Sequence, residues 1–291
     1  MPANEVPAYD ARRRYLVVAV VVMPLLFLAS AAAVVWFQAS GHPDHTNPQH
    51  PAVAGANEVQ AVTVAPRAVP NFDSLPAATT FTTLTDAPAD IDQQAVPSGT
   101  VVHPLESVPV YSEPGGQAIA VLPAQEIASD TWVPVVAQES GWVQVLLPSR
   151  PNSSTGWLST QDQTLETAQT PYRIEVDRAR FQLHLYRDDR QIGSWEVGVG
   201  KSATPTPAGR TFVMASVQDS RQTYSPVILP LGIHSNSYDT FGGGPGTTAI
   251  HTWPSSAVFG KQASDGCIRI PTDALHVLVT TVPLGTPVLI R

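Results

Sequence analysis

Residues 249–275, AIHTWPSSAVFGKQASDGCIRIPTDAL, hold Cys267, the one cysteine of this 291-residue chain. A lone cysteine cannot form an internal disulfide, so its thiol is either buried and inert or reactive. His251 lies upstream, with twelve residues between it and Ser264 of the cysteine motif. A thiol beside an imidazole forms a thiolate–imidazolium pair, which is a strong nucleophile at neutral pH. The stretch therefore predicts a cysteine enzyme that transfers acyl groups.

Three neighbours of the cysteine bear on its reactivity. Gly266 permits a sharp turn or a close approach of the backbone. Asp265 is expected to raise the thiol pKa slightly, unless its carboxylate pairs with Arg269. For Arg269 the sequence leaves three readings open: a solvated charge, a partner of Asp265 or Asp273, or a contact to a substrate carboxylate.

Composition excludes several classes of function. The net charge is -8 and the body of the chain has no cluster of basic residues, which argues against a nucleic-acid partner. Only 14% of the residues are charged and 28 are prolines, as expected for β-rich domains with long irregular connections. His42, His45 and His50 are too loosely spaced for a convincing metal site. Neither a metal nor a cofactor is expected.

The N-terminal region predicts a membrane anchor. Residues 1–14 form a short tail that ends in three arginines, and residues 15–37 carry no charge. As a helix, the uncharged run would span about 34 Å, enough to cross a bilayer. The next basic residue is Arg67, so the positive-inside rule places the tail in the cytoplasm and the rest outside, attached to the cell membrane by a single pass. A cleaved signal peptide is the alternative, and it would give a secreted protein.

Residues 38–98 are expected to form a disordered, proline-rich linker. The part from residue 41 onward carries eight prolines and two aromatic residues. Such a composition cannot bury enough apolar surface to offset the entropy lost on ordering. The linker would let the folded part range away from the membrane.

Residues 99–160 show short strands broken by turns, which favours a small β-barrel. The series VYSEPGG, GWVQVLL and TGWLS resembles the bacterial SH3-like modules of cell-wall proteins. That resemblance implies targeting or positioning rather than chemistry. Residues 160–170 are polar and are expected to be a connector between domains.

Residues 171–291 predict a second domain, mostly β with one or two helices. Alternating strands open it, a Pro/Gly-rich loop TPTPAGRTFV follows, a helix is expected after Pro271, and VPLGTPVLIR closes it. Together with the 249–275 stretch, these features resemble the L,D-transpeptidase catalytic domain of the YkuD-like family. The resemblance implies a β-sandwich-type fold.

The resemblance also implies a site and a reaction. Cys267 matches the nucleophile, His251 the general base and acid, and Gly266 the backbone of the oxyanion pocket. Residues expected at the substrate pocket are Ser264, Arg269, Thr252, His234 and Tyr238. The reaction implied is formation of 3→3 crosslinks in peptidoglycan, through a cysteine acyl-enzyme on a tetrapeptide stem donor. Carbapenems and related β-lactams are implied as covalent inhibitors.

Two other functions compete with this one. A sortase-like transpeptidase on protein substrates would also need His, Cys and Arg, but sortases place the arginine far beyond the cysteine. Here Arg269 and Arg291 are the only arginines after Cys267. A non-catalytic wall-binding scaffold would leave the His251 and Cys267 pair unused. Reaction with a carbapenem separates the three.

Overall fold

The structure is a computed structural model that describes residues 63–291. The predicted cytoplasmic tail, the predicted anchor at 15–37 and the first part of the predicted linker lie outside the described residues. Within 63–291, no helix is long and apolar enough to cross a membrane.

An N-terminal β module follows the irregular segment 63–98, which contains only a short 3-10 helix at Phe72–Ser74. Its strands are β1 (Thr100–Pro104), β2 (Val108–Tyr111), β3 (Ala118–Leu122), β4 (Gln125–Glu126), β5 (Ser129–Asp130), β6 (Val133–Glu139), β7 (Trp142–Leu146), β8 (Thr155–Ser159) and β9 (Leu165–Gln169). Seven of them form one sheet in the order β3-β2-β8-β7-β6-β1-β9, and β4 and β5 form a small hairpin.

Strand β9 corrects the prediction of a plain connector at 160–170. It pairs antiparallel with β1 along its whole length, from Thr100 opposite Gln169 to Pro104 opposite Leu165. Its side chains are mostly exposed, so the sequence lacks the apolar alternation that would predict a strand here. The connection to the next module therefore starts from an ordered sheet edge.

The C-terminal β module contains ten strands and one α-helix. The strands are β10 (Tyr172–Asp177), β11 (Gln182–Arg187), β12 (Arg190–Glu196), β13 (Val199–Gly200), β14 (Gly209–Phe212), β15 (Ile228–His234), β16 (Thr247–Thr252), β17 (Gln262–Ser264), β18 (Ile268–Ile270) and β19 (Pro287–Ile290). The helix α1 spans Thr272–Thr281, and a 3-10 turn spans Ser256–Val258. Thr272 is the first helical residue, and Pro271 takes the N-cap position without a side-chain hydrogen bond.

Two sheets of this module face a common core. One has five strands in the order β12-β11-β10-β19-β14, and the other has three in the order β15-β16-β18. The apolar faces of both sheets and of α1 meet in one cluster, which includes Ile174, Leu183, Leu231, Ile250 and Leu278. Burial of such side chains, each contributing roughly 1.5–3 kcal/mol, is the main force that holds the sheets together. The mainly β, sandwich-type architecture predicted from the sequence is confirmed.

Residues 63–98 differ from the prediction of a disordered linker. Ala78 and Leu84 are buried in the core of the N-terminal module. Asp90 forms a two-pronged ion pair with Arg210 of β14, with distances of 2.5 and 2.7 Å, and both side chains are almost fully buried. The segment contributes few apolar side chains, but tertiary contacts far apart in sequence fix it, and composition does not reveal such contacts.

The two β modules share part of one core. Phe212, the last residue of β14, and Met214, two positions beyond it, pack with Val110, Leu122 and Leu158 of the N-terminal module. The N-terminal module is therefore not a free appendage, because its interior is completed by side chains of the C-terminal module.

Candidate active site

The parallel pairing of β16 with β18 assembles the predicted catalytic residues. Its register places Ile250 opposite Ile268 and His251 opposite Arg269. Cys267 lies two positions before Arg269, and side chains two apart point to the same face of a strand. His251, Arg269 and Cys267 therefore share one face, although the chain between the two strands makes a long excursion.

A tight turn presents the cysteine. The Ser264 hydroxyl donates to the Cys267 carbonyl at 2.5 Å and accepts from the Gly266 N–H at 3.2 Å. Thr206, in the Pro/Gly-rich loop, donates to the Gly266 carbonyl at 2.8 Å. Gly266 has φ of +124°, a conformation that residues with a side chain rarely adopt. Hydrogen bonds from Ser264 and from Thr206, two distant parts of the chain, thus fix the turn.

These contacts revise two predicted roles. Ser264 is 1% exposed and uses its hydroxyl within the turn, so it shapes the backbone at Cys267 instead of binding substrate. The Gly266 N–H already has an acceptor in Ser264 Oγ. This N–H can donate to an oxyanion only after its hydrogen bond to Ser264 is broken.

His251 is oriented by the backbone of its neighbour. Its Nδ1 lies 2.7 Å from the Thr252 carbonyl oxygen. Because a carbonyl can only accept, Nδ1 carries the proton and Nε2 is left as the basic nitrogen. Burial lowers the pKa of His251 to about 4, with a smaller contribution from the charge of Arg269. The imidazole is therefore neutral at pH 7.

Thr252 positions the base and does not line the substrate pocket as predicted. Its side chain is buried, and its N–H donates to Ser225 Oγ at 3.0 Å. Ser225 in turn donates to the Val227 carbonyl at 2.6 Å. This chain of hydrogen bonds fixes the carbonyl that selects the tautomer of His251.

Cys267 keeps part of its residue surface exposed, but its thiol group is buried and is protonated in the resting site. Burial raises its pKa, whereas a backbone hydrogen bond from Ala249 and the charge of Arg269 lower it. The charge of Asp265 raises the thiol pKa, and its contribution is the smallest of the four. The free site thus holds a neutral thiol and a neutral imidazole, and not the ion pair expected from the sequence.

Asp265 pairs with Lys201, not with Arg269. The distance from Lys201 Nζ to Asp265 Oδ1 is 3.0 Å, and both side chains are at least one-third exposed. Lys201 follows β13 and its N–H donates to the Ser264 carbonyl, so it belongs to the same corner of the site. The positive charge of Lys201 is opposite in sign to the carboxylate and therefore acts against its effect on the thiol.

Arg269 is held by an aromatic ring and a carbonyl. Its guanidinium lies 3.7 Å from the ring centroid of Trp253, and one terminal nitrogen donates to the Ala263 carbonyl at 3.1 Å. Tyr224 packs edge-on against His251, with ring centroids 4.9 Å apart, and also contacts Trp253. The sequence left three possibilities open for Arg269, and one of them, an ion pair with Asp265 or Asp273, is not found among the described residues. The guanidinium instead places a fixed positive charge beside the thiol.

A narrow crevice leads to Cys267. It has room for about one water molecule, roughly 10 Å³. The loop 235–246 forms one wall with Tyr238 and Phe241, whose rings are 5.9 Å apart and partly exposed. Tyr238 therefore lies where the sequence predicted a pocket residue.

Arg150 of the N-terminal module holds this loop from outside. Its guanidinium donates to the carbonyls of Ser235, Tyr238, Asp239 and Pro245, at distances of 3.2, 3.0, 3.5 and 2.9 Å. Asn152 adds a bond to the side chain of Asn236 at 3.0 Å. The wall of the crevice is thus fixed by a different module from the one that carries the cysteine.

His234 does not belong to the substrate pocket, which corrects the prediction. It is fully buried, and its Nε2 lies 2.8 Å from the Thr80 carbonyl and 2.9 Å from the Thr80 hydroxyl. Its backbone N–H and carbonyl both bond to the side chain of Asn152. Burial lowers its pKa to about 4, so the neutral ring joins the 63–98 segment and both modules.

Four residues at the site were missed in the sequence. Trp253 follows the base by two positions, so strand alternation places it on the same face and could have identified it. Thr206 lies in the quoted Pro/Gly-rich loop, but its bond to the turn depends on long-range folding. Lys201 and Arg150 act from other parts of the chain, and no local pattern connects them with Cys267.

Comparison with known proteins places this geometry in a family. Residues 171–290 match the family model YkuD, described as the L,D-transpeptidase catalytic domain. YkuD of Bacillus licheniformis, a protein named as an L,D-transpeptidase, is 30% identical over 152 residues, which cover 50% of this chain and 84% of that protein. The chain belongs to the YkuD family of L,D-transpeptidases.

Two further proteins are similar to this chain. YqjB of Bacillus subtilis strain 168, also named as an L,D-transpeptidase, is 30% identical over 125 residues, or 41% of this chain and 70% of that protein. The solved catalytic domain of the Enterococcus faecium (E. faecium) L,D-transpeptidase is 26% identical, covers 41% of this chain and 96% of its own, and superposes with a TM-score of 0.33.

Proposed function

We propose that this protein is a peptidoglycan L,D-transpeptidase that forms 3→3 crosslinks through a thioester on Cys267. The donor would be a tetrapeptide stem and the acceptor an amine of a second stem. The observation that carries the proposal is the tautomer of His251. Its Nδ1–H is committed to the Thr252 carbonyl, which leaves a basic Nε2 on the face that also bears Cys267.

The first half-reaction acylates the enzyme. As the thiol attacks the donor carbonyl, Nε2 of His251 takes the Sγ proton, and a tetrahedral oxyanion forms near the backbone turn at Cys267. The carbon–nitrogen bond to the terminal D-amino acid then breaks. The departing amine takes the proton from His251, and a thioester remains on Cys267. The resting site is neutral, so charge develops only when substrate is bound.

The second half-reaction transfers the acyl group. An acceptor amine attacks the thioester while His251 takes its proton, and the carbon–sulfur bond breaks. The thiolate leaves beside the fixed charge of Arg269, which stabilises it, and it regains the proton from His251. Two sequential half-reactions of this kind give ping-pong kinetics.

Placement at the cell wall is the second part of the proposal. The uncharged run at 15–37 and the three preceding arginines support an anchor in the cell membrane, with both β modules on the outer side. The strands of residues 99–160 and their Gly-Trp motifs support an SH3-like module. If the N-terminal segment is cleaved, the same modules would be secreted.

Reaction with a carbapenem tests the chemistry. A carbapenem presents a strained amide carbonyl in place of the donor carbonyl, so the purified protein should gain one adduct by intact mass. Cys267→Ala should gain none. Absence of an adduct on the wild-type chain at any ratio would refute the acyl-enzyme.

A second experiment tests crosslinking and the role of the base. With disaccharide-tetrapeptide as donor and acceptor, mass spectrometry should find a dimer that has lost one terminal D-amino acid and carries a 3→3 bond. His251→Asn should keep the fold and acylate at least about 100-fold more slowly, the usual range for a lost general base. Acylation at the wild-type rate would remove His251 from the mechanism.

A further inference from the structure

The N-terminal module carries an aromatic groove, formed by Tyr111, Trp142 and Trp157. Tyr111 and Trp142 meet edge to face, with centroids 5.2 Å apart and an interplanar angle of 89°. The three side chains are 4%, 1% and 9% exposed. They form a cluster separate from the two main cores. The chain's own residues 63–70, TVAPRAVP, lie across this groove.

The groove holds this segment through its backbone. Trp142 Nε1 and Gln161 Nε2 both donate to the Val64 carbonyl, at 2.8 and 2.9 Å. The Tyr111 hydroxyl donates to the Arg67 carbonyl at 3.1 Å. Three side-chain donors thus form hydrogen bonds to two carbonyls that are three residues apart.

The side chains of the segment follow the same spacing. Between residues 63 and 70 only Pro66 and Val69 are partly buried, and the others are exposed. Val69 packs against the aromatic cluster. The segment forms no strand, and Pro66 fixes its own φ while restricting Ala65 to extended conformations. Contacts that repeat every three residues, in a proline-containing segment outside any strand, match the three residues per turn of a polyproline II helix.

The surrounding turns leave room for this backbone. A side chain at Gly115 would come within 2.4 Å of Val64, and one at Gly141 within 2.5 Å of Thr63. Both glycines also have positive φ, so the two turns beside Thr63 and Val64 have two reasons to lack a side chain.

We infer that the aromatic groove is a binding site for polyproline II peptides and that residues 63–70 occupy it in cis. Aromatic grooves that take such peptides exploit their preformed backbone, and donors aimed at carbonyls make recognition tolerant of sequence. The partner that fits in trans is an extended peptide with proline and an apolar residue three positions later. The resident segment buries little of its own surface, so it can be exchanged.

The exchange can be measured with a labelled peptide. The probe is a fluorescent synthetic peptide of residues 62–72, and its binding to the full chain in detergent is followed by anisotropy. The double variant Pro66→Asp/Val69→Asp weakens the resident segment and leaves the groove intact. It should bind the peptide at least about tenfold more tightly than the wild-type chain, because a site freed of its occupant regains its intrinsic affinity.

A matched pair of variants locates the binding site. In the double-variant background, Tyr111→Phe keeps the ring and removes one donor, so affinity should fall about fivefold, as for one lost hydrogen bond. Tyr172→Phe, outside the groove, should leave it unchanged. Equal effects of the two substitutions would overturn the assignment of the groove.

A double variant that is folded but binds no peptide, or one that unfolds, would overturn the inference. In the latter case the segment would be a fixed part of the fold and not an exchangeable occupant.

Discussion

At the scale of single residues, the site is built to keep Cys267 neutral until substrate arrives. Burial raises the pKa of the thiol and lowers that of His251 to about 4. A neutral pair avoids the cost of holding two charges in a partly buried site. The thiolate–imidazolium pair expected from the sequence therefore forms only during the reaction and is not present in the free protein.

The pH dependence of alkylation tests this neutral resting state. Iodoacetamide reacts with the thiolate, so its rate with Cys267 should rise about tenfold per pH unit from pH 6 to 9, since the thiol pKa lies above its ordinary value. The rate is measured by mass spectrometry, with Cys267→Ala as the unlabelled control. A plateau between pH 6 and 8 would instead demonstrate a preformed thiolate–imidazolium pair.

Asp265 and Lys201 give a pair of substitutions with opposite expected signs. Asp265→Asn removes a charge that raises the thiol pKa, so alkylation at pH 7.5 should speed up. Lys201→Met leaves that carboxylate without its partner, so alkylation should slow. Each change should be about two- to threefold because the pair is exposed to solvent. Both effects should shrink in 1 M salt, and effects of the same sign would contradict the assignment.

The sequence identified the nucleophile and base because their types and spacing form a local pattern. It did not reveal the partner of Arg269. The sequence left open solvent, an aspartate or a substrate carboxylate, and it did not suggest the ring of Trp253, which lies on the excursion between β16 and β17. Likewise the neutral state of Cys267 depends on burial, which a motif does not report.

At the scale of elements, loop 235–246 is the part of the crevice that is positioned from outside its own module. Arg150→Ala removes four hydrogen bonds to the loop backbone, so the loop should lose its fixed place. Acylation by a carbapenem should then slow about tenfold, as for lost bonds to a charged donor. Alkylation by the much smaller iodoacetamide should not slow.

The contrast between the two reagents separates positioning from general destabilisation. Arg150→Lys supplies one compact ammonium instead of a planar fork, so it should rescue only part of the carbapenem rate. Arg180→Ala, which removes an exposed ion pair with Asp177, should leave both rates unchanged. Equal slowing of both reagents in Arg150→Ala would show that the loop does not act as a wall of the crevice.

Among the elements, strands with an apolar pattern were predictable from the sequence, whereas the polar strand β9 was not. The strands β10, β11 and β19 carry the apolar alternation or apolar run that marks a strand. Strand β9 has mainly polar, exposed side chains and exists through its backbone bonds to β1. A helix after Pro271 was foreseen from its apolar face, since Leu275 and Leu278 point into the core.

At the scale of the whole molecule, residues 63–98 bind the two β modules into one body. Asp90 of this segment meets Arg210 of β14 in a buried ion pair. Asp90→Asn should lower the free energy of unfolding by about 3–5 kcal/mol, because it leaves a buried guanidinium uncompensated. Denaturant unfolding measures the change.

Two further variants control for this effect. Asp177→Asn breaks an exposed pair and should change stability by about 0–1 kcal/mol. Asp90→Leu/Arg210→Met removes both charges and should recover much of the loss. If Asp90→Asn unfolds like the wild-type chain, the segment is not an integral part of the fold.

Composition predicted the opposite for this segment because it counts only how many apolar groups a stretch offers. Residues 63–98 offer few, and they are ordered by partners such as Arg210 and His234 that lie more than a hundred positions away. Such contacts are invisible until the fold of both modules is known.

The placement of β19 has a consequence for how the chain is made. Strand β19 lies between β10 and β14 in the five-stranded sheet, although both precede it in sequence by more than seventy residues. A chain that emerges from a ribosome or a translocon with its N-terminus first exposes β10 and β14 with unpaired edges until residues 287–290 follow. The five-stranded sheet of the catalytic module therefore cannot be completed until the last residues of the chain emerge. A stalled export intermediate would present open strand edges to chaperones and proteases.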